Sequence, residues 1–232
     1  MLTGGFAEQG YDWWWHSFTG HHAKTGERRS FFIEFFCCNP ALGGGEPVFG
    51  QLPENRIAHR RPSYVMVKAG SWGENAKQLH RFFSWKDVTL GENVPFFVEA
   101  DDCLCCETDL IGSIRIAPDD AASHPEWMCD AGTMLWDLRV DKQIPFNVGY
   151  GASAPLRALQ AFEMFWHAEG IKTAYRGTSC SMARRTSSSL IPVSDMLTKT
   201  GAPISRVHGC GSRRAIWLAP LRASVLRTPL LT

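Results

Sequence analysis

The chain has 232 residues, 44% of them hydrophobic and 20% charged, with a formal net charge of +1 at pH 7. That is ordinary globular composition on a chain long enough to bury a sizeable core, which excludes a disordered polyelectrolyte. The first thirty residues lack the basic start, apolar run and small-residue cleavage site of a secretory leader, and no apolar stretch approaches a bilayer span, so a cytoplasmic location is expected.

In chain order, Tyr11 to Thr19 reads as a strand, "HHAKTGERR" as a turn whose Thr-Gly supplies a positive φ, and "SFFIEFFCCN" as the returning strand. "NPALGGGEPVFGQLPENR" reads as a Gly/Pro-rich surface loop, with "ALGGG" a flexible segment rather than a phosphate cradle. Further strands are expected at "PSYVMVKAGSW", "QLHRFFSW", "PFFVEADDCLCC", "IGSIRIAP" and "GTMLWDLRVD". In "GASAPLRALQAFEMFW", Ser153 as cap, Pro155 in the first turn, and Leu156 and Leu159 on one face predict a short helix before a last strand. Antiparallel strands in this number, rich in rings, predict an all-β barrel or sandwich, and a ring-lined barrel makes a cavity for an apolar ligand.

Side chains alternate on a strand, so Asp12, Trp14 and His16 share one face while Trp13 and Trp15 share the other. The order of acid, aromatic, Trp and His recurs later, with Glu163, Phe165, Trp166 and His167 matching Asp12, Trp14, Trp15 and His16, as an internal duplication would give. The stripe has two readings: a line of chemistry, or an acid and an imidazole that hydrogen-bond each other in a core or at a rim.

The segments "YDWWWHSFTGH...TGERRSFFIEFF", "PSYVMVKAGSWGENAKQLHRFF" and "VGYGASAPLRALQAFEMFWHAEGIKTAYRG" resemble the tocopherol cyclase family, whose wider group includes carotenoid 1,2-hydratases and lipocalin-like Diels-Alderases. The resemblance covers roughly residues 8 to 178. It implies two lipocalin-like β halves, here residues 1–152, followed by 153–177 as linker and opening strand of a second half. It implies a cavity for a prenylated or polyene molecule, and cofactor-free, isomerase-type cyclisation of a prenylated quinol to a chromanol.

The last 55 residues depart from that family. They contain seven arginines, one lysine and one aspartate, a net of +7, which leaves −6 for residues 1–177. They contain no Phe, Tyr, Asn, Gln or Glu, whereas Ser, Leu and Arg, each with six codons, supply 23 of the 55. Regrouping possible codons of "DMLTKTGAPISRVHGCG" by one base spells Tyr-Ala-Asp-Lys-Asn-Trp-Gly, one variable residue, then Asp-Phe-Thr-Ser-Pro-Trp-Val-Trp, the segment that full-length relatives carry. A single-base frameshift between about Gly177 and Asp195 is therefore expected, with 178–232 an out-of-frame, disordered basic tail and the second half truncated. Resequencing that interval decides it: a confirmed gene whose codons do not regroup this way removes the idea. The competing reading, a genuine basic tail for nucleic acid or membrane, lacks aromatic interleaving, and no nucleic-acid partner is expected.

On the family's chemistry, a carboxyl among tryptophans is kept protonated by desolvation, and Trp faces stabilise a cation by roughly 0.5–2 kcal/mol each. Asp12 and Glu163 are the expected acids, and His16 and His167 their orienting partners or the base for the phenol proton. Tyr11, Trp13, Trp14, Trp15, Phe165 and Trp166 are the expected substrate walls. The resemblance implies a hydrophobic small-molecule substrate, and peripheral membrane contact is expected as the way to reach it. A non-enzymatic carrier of isoprenoids or lipids, and an inactive frameshifted product, are the alternatives. Glu34, flanked by Phe32 and Phe36 on its face, is expected in a structural hydrogen bond or ion pair. The eight cysteines, Cys37, Cys38, Cys103, Cys105, Cys106, Cys129, Cys180 and Cys210, match neither disulfide nor zinc spacing and are expected to be reduced, mostly buried thiols. No metal or cofactor is expected: "ADDCLCC" alternates across a strand with no adjacent His, and no G-x-G-x-x-G, P-loop or nucleophile elbow is present.

Overall fold

The computed structural model describes residues 8, 10–22, 25–91, 96–145, 155, 164–182, 191–193 and 200–206. Twelve strands follow one another: β1 (Gly10–His21), β2 (Arg28–Cys38), β3 (Tyr64–Ser71), β4 (Lys77–Phe83), β5 (Val88–Leu90), β6 (Phe96–Ala100), β7 (Cys103–Cys106), β8 (Asp109–Ile116), β9 (Gly132–Pro145), β10 (Met164–Met182), β11 (Ile191–Val193) and β12 (Thr200–Arg206). Two short helices, α1 (Pro53–Ile57) and α2 (Pro118–Ser123), are the described α-helical segments of more than one residue. The protein is thus all-β, and every described strand pair is antiparallel.

The hydrogen-bonded path runs β4-β3-β2-β1-β12-β10-β9-β8-β7-β6-β5, with β11 on the flank of β10. Among the described residues no ladder joins β4 to β5. The sheet nevertheless curls, because β3 and β4 approach β8 across the core. Arg81 of β4 makes that approach specific. Its guanidinium forks onto Asp101 and Asp102 at the β6–β7 turn and donates to the Ser113 carbonyl of β8 at 3.3 Å.

β1 alternates buried and half-buried along its whole length, so one face enters the core and the other does not. The turn to β2 is held by His22 N–H donating to the Glu27 carbonyl at 2.8 Å, and Gly26 takes the positive φ of 72° expected at its tip. Ile33 and Phe35 of β2 pair with Ala69 and Val67 of β3, and these four together with Phe31 and Val65 are at 0% exposure. Side chains of this size contribute about 1.5–3 kcal/mol each on burial. Leu110, Ile114, Leu138 and Tyr175 close the core from the other limb.

Two expectations change. "PFFVEADDCLCC" is not one strand: Asp101 sits at φ 54°, and the turn at Asp101–Asp102 splits it into β6 and β7. Aspartate tolerates this left-handed conformation better than most residues, so an apolar run hid a hairpin. The Gly/Pro-rich loop also holds α1 and a single 3-10 turn at Pro40–Leu42. Of the expected helix at 153–166, only Pro155 and the strand residues from Met164 on lie among the described residues. Beyond residue 178, β10 continues to Met182, and β11 and β12 are described. The expected boundary at 152/153 separates β9 from β10, which are neighbours in one ladder.

Candidate functional site

The buried face of β1 presents Asp12, Trp14, His16 and Phe18 in a line, and their exposures of 4%, 8%, 3% and 1% show how far the alternation is carried. Across the β1–β2 ladder they stand beside Cys37, Phe35, Ile33 and Phe31. Trp14 stacks on Phe97 of β6, with centroids 5.8 Å apart and planes 6° apart. Lys142 of β9 lies over the same Phe97 ring at 5.8 Å and donates to Glu107 at 2.9 Å.

His16 has both nitrogens engaged. Nδ1 lies 3.0 Å from the Tyr175 hydroxyl of β10, and Nε2 lies 3.6 Å from the Cys105 thiol of β7. A neutral imidazole satisfies both contacts in either tautomer, donating to one neighbour and accepting from the other. Burial, with Lys142 as a lesser cause, pulls the imidazole down from its ordinary 6.5 to about 3. The ring is therefore uncharged near neutral pH and a weak proton acceptor. That suits an orienting partner for Tyr175 better than a base for a phenol proton.

Residues four apart on a strand stand about 13 Å apart. Asp12 and His16 thus do not hydrogen-bond each other, and they act as separate groups on one face. Asp12 stands beside Cys37, whose thiol is pushed well above its ordinary value by burial first and by the charges of Asp12, Cys38 and Cys105 after it.

The other face of β1 carries Tyr11, Trp13 and Trp15, all half-buried. Tyr11 stacks on Trp13 at 5.4 Å and on Phe36 at 5.6 Å, and Trp15 stacks on Phe32 at 5.2 Å. Beside Trp15 lies Glu34, and beside Glu34 lies Lys68, in register across β2 and β3. Glu34 is in an ion pair, as expected, with Lys68 Nζ 3.7 Å from its Oε2. Burial raises the Glu34 carboxyl while Lys68 opposes the rise, and burial lowers the Lys68 ammonium while Glu34 opposes the fall.

Comparison with family models, with curated proteins and with solved structures finds no match.

The matched segments of the internal repeat flank one strand. β12 pairs with β1 through Asp12 and Ile204 and with β10 through Phe165 and Ile204, so the two segments run parallel, one on each side of it. Through Ile204, Asp12 is level with Phe165, two residues past Glu163. Phe165, Trp166 and His167 are placed by their backbone in β10, and their side chains lie outside the described residues, as does Glu163 altogether. Among the described residues no group of three or more His, Cys, Asp or Glu is placed to hold a metal ion, and no helix is long and apolar enough to cross a membrane.

Tyr175 and Phe97 surround His16 and Trp14 without having been singled out in the sequence, and Cys105 was read there only as a buried thiol. The one available signal was period-two spacing in β10, where Thr173, Tyr175 and Ser179 fall on one buried face. It does not say which strand that face meets.

Proposed function

We propose that the protein is built on the lipocalin-like scaffold of the tocopherol cyclase type and that its chemistry is acid-catalysed closure of a prenylated quinol to a chromanol. The observation that carries this reading is the inward row of β1, where a carboxyl, an indole and an uncharged imidazole occupy alternate positions on the buried face. Asp12 is the proton donor to the prenyl double bond. The indole of Trp14 attracts the carbocation that forms, and capture by the quinol oxygen closes the ring and releases the phenol proton. His16 holds the Tyr175 hydroxyl in place. The substrate is a hydrophobic small molecule taken from a lipid surface, and the reaction needs no cofactor.

The test is incubation with a prenylated hydroquinone, using both this chain and the product restored by a one-base correction between Gly177 and Asp195. Chromanol is followed by chromatography. Formation in the wild type and loss in Asp12→Asn is the expected result. An Asp12→Asn protein that turns over at the wild-type rate removes Asp12 as the acid.

The saturated hydrogen bonding of His16 favours one second reading, a carrier that binds such ligands without converting them. Quenching of tryptophan fluorescence by the prenylated ligand, with no chromanol from either form of the protein, is its signature.

A further inference from the structure

The segment joining β2 to β3 leaves the sheet at the end where Asp12 stands. Cys38 pairs with Tyr11 on one side and Tyr64 on the other, one residue beyond the pair of Asp12 and Cys37. The base of the segment is fixed. Asn39 Nδ2 donates to the Pro62 carbonyl at 2.6 Å, the Ser63 hydroxyl donates to the Asn39 carbonyl at 2.9 Å, and Val48 and Ser63 exchange backbone hydrogen bonds. Buried Asn55 donates to the Phe49 carbonyl at 2.8 Å, and the Phe49 ring meets Phe82 of β4 edge-on at 4.8 Å. At the tip, α1 stops where His59 takes a φ of 52°, and the Arg60 N–H returns to the Asn55 carbonyl at 2.8 Å. The tip is thus one tight turn on an anchored base, already shaped before anything binds it.

Everything from Arg56 to Arg61 is exposed. Ile57, at 81%, is the most exposed large apolar side chain among the described residues. A lone exposed apolar residue is common, but this one sits among Arg56, Arg60 and Arg61. Among the described residues none of these three guanidiniums is in an ion pair. Two carboxylates must be set against them. Glu54, one helical turn before Ile57, is the single acid between Gln51 and Pro62 and leaves the segment at +2. Glu126, brought near by Gln51 Nε2 donating to its carbonyl at 3.2 Å, is engaged by His124 at 2.8 Å. The tip is therefore a cationic spot on a body whose residues 1–177 carry −6. Cations around an apolar centre complement a surface that is anionic outside and apolar just beneath, which is a bilayer with acidic headgroups. A nucleic acid serves the guanidiniums but leaves Ile57 in water, and no Phe, Tyr or Trp between Gln51 and Pro62 offers its bases a platform.

We propose that the α1 tip docks on an anionic lipid bilayer, with Ile57 entering the acyl boundary and Arg56, Arg60 and Arg61 on the headgroup phosphates. The contact is weak and reversible, as one apolar side chain with a few charges gives. It rests on the reading of a lipid-borne substrate only for its purpose. Binding is measured with no quinol present, so docking and cyclisation can fail separately.

The test is co-sedimentation of the whole chain with vesicles of phosphatidylcholine alone and of phosphatidylcholine and phosphatidylglycerol in equal parts. Uptake by the mixed vesicles only, falling as salt is added, is expected. Arg56→Gln/Arg60→Gln/Arg61→Gln should lower the partition coefficient by about a hundredfold, at roughly fivefold per charge. Ile57→Ser should lower it by about tenfold through lost apolar burial, and Glu54→Gln should raise it by about fivefold. Residues 178–232, also basic, are present in every variant, so the differences read the tip alone. Far-ultraviolet dichroism checks that each variant is folded. No uptake by mixed vesicles overturns the proposal, and so does equal uptake by both kinds. Uptake unchanged in the triple arginine variant places the contact elsewhere on the chain and overturns it too. Binding of polyuridylate that the triple variant loses and Ile57→Ser keeps, without vesicle uptake, assigns the tip to nucleic acid instead.

Discussion

The Tyr175 hydroxyl lies 3.0 Å from Nδ1 of His16, a contact that ties β10 to β1 across 159 residues of chain inside the core. Both residues are almost fully buried, and Tyr175 also stacks on Phe18 at 5.4 Å. Tyr175→Phe keeps the ring and strips the hydroxyl, leaving a buried nitrogen without its partner. The expected loss is about 1–3 kcal/mol in urea unfolding, the desolvation cost of one orphaned polar group. A variant as stable as the wild type would show that Nδ1 finds another partner.

Stability should also fall with acidity. In the unfolded chain His16 titrates near 6.5, whereas in the fold burial holds it at about 3, so below 6.5 the unfolded state binds the extra proton. The contribution is whole above pH 6.5, is lost progressively as pH falls toward 3, and the slope is about 1.4 kcal/mol per pH unit. His80, lowered to about 4 mainly by burial, adds to the slope in the same sense until that value is reached. Glu34, raised by burial, acts in the opposite sense. Urea midpoints measured from about pH 7 down to about pH 4.5 should therefore drop, and His16→Gln should flatten the drop. An unchanged slope in that variant would remove His16 as its source.

The hairpin that carries both rows was legible in the sequence, because the aromatic run of β1 and a Thr-Gly tip are local signals. Once its turn is fixed, pairing across it follows, and Trp15 beside Glu34 is a consequence of counting back from Gly26. What stayed hidden depends on where strands meet. Tyr175 reaches His16 only because β12 spaces β10 from β1, and Cys105 only because the sheet curls back. The β6–β7 hairpin escaped for the opposite reason: its turn is two aspartates inside an apolar run, with no glycine or proline to mark it. α1 escaped because five residues are too few to display a helical period.

Of the six cysteines whose side chains are described, five are buried and none of the six is in a disulfide. Burial lifts the Cys38 and Cys103 thiols to about 12, so the reactive thiolate is scarce at neutral pH. Cys129, half-buried, should be alkylated first among these six when native protein is treated with iodoacetamide and mapped by mass spectrometry. Cys37, Cys38, Cys103 and Cys105 should react only after urea is added. Early labelling of Cys103 in native protein would contradict its burial.

Gly70→Ala should cost about 1–3 kcal/mol, the usual penalty for overpacking. The added methyl meets the Lys77 carbonyl, a backbone atom of the β3–β4 ladder that cannot step aside as a side chain can. It also drives Phe32 off Trp15, so near-ultraviolet dichroism should change along with the unfolding midpoint. A midpoint shift without a change in the aromatic signal would locate the damage in the ladder alone.

The Glu34–Lys68 pair separates a role in stability from a role in holding the fold together. Both side chains are nearly excluded from water, at 11% and 5% exposure, so neither charge is well screened. Glu34→Ala strands the ammonium of Lys68, and the expected cost is about 3–5 kcal/mol. Lys68→Met strands the carboxyl, which has an alternative: with its affinity for a proton already raised by burial, it takes one up and becomes neutral, so this variant should lose less and be steadier at lower pH. Glu34→Leu/Lys68→Met removes both charges and should lie close to the wild type, because two desolvation costs disappear with one attraction. A double-mutant cycle in urea therefore should show a coupling larger than the net contribution of the pair. Single variants whose losses merely add would mean that the two groups do not sense each other across 3.7 Å, and that the row Trp15–Glu34–Lys68 is held by its rings.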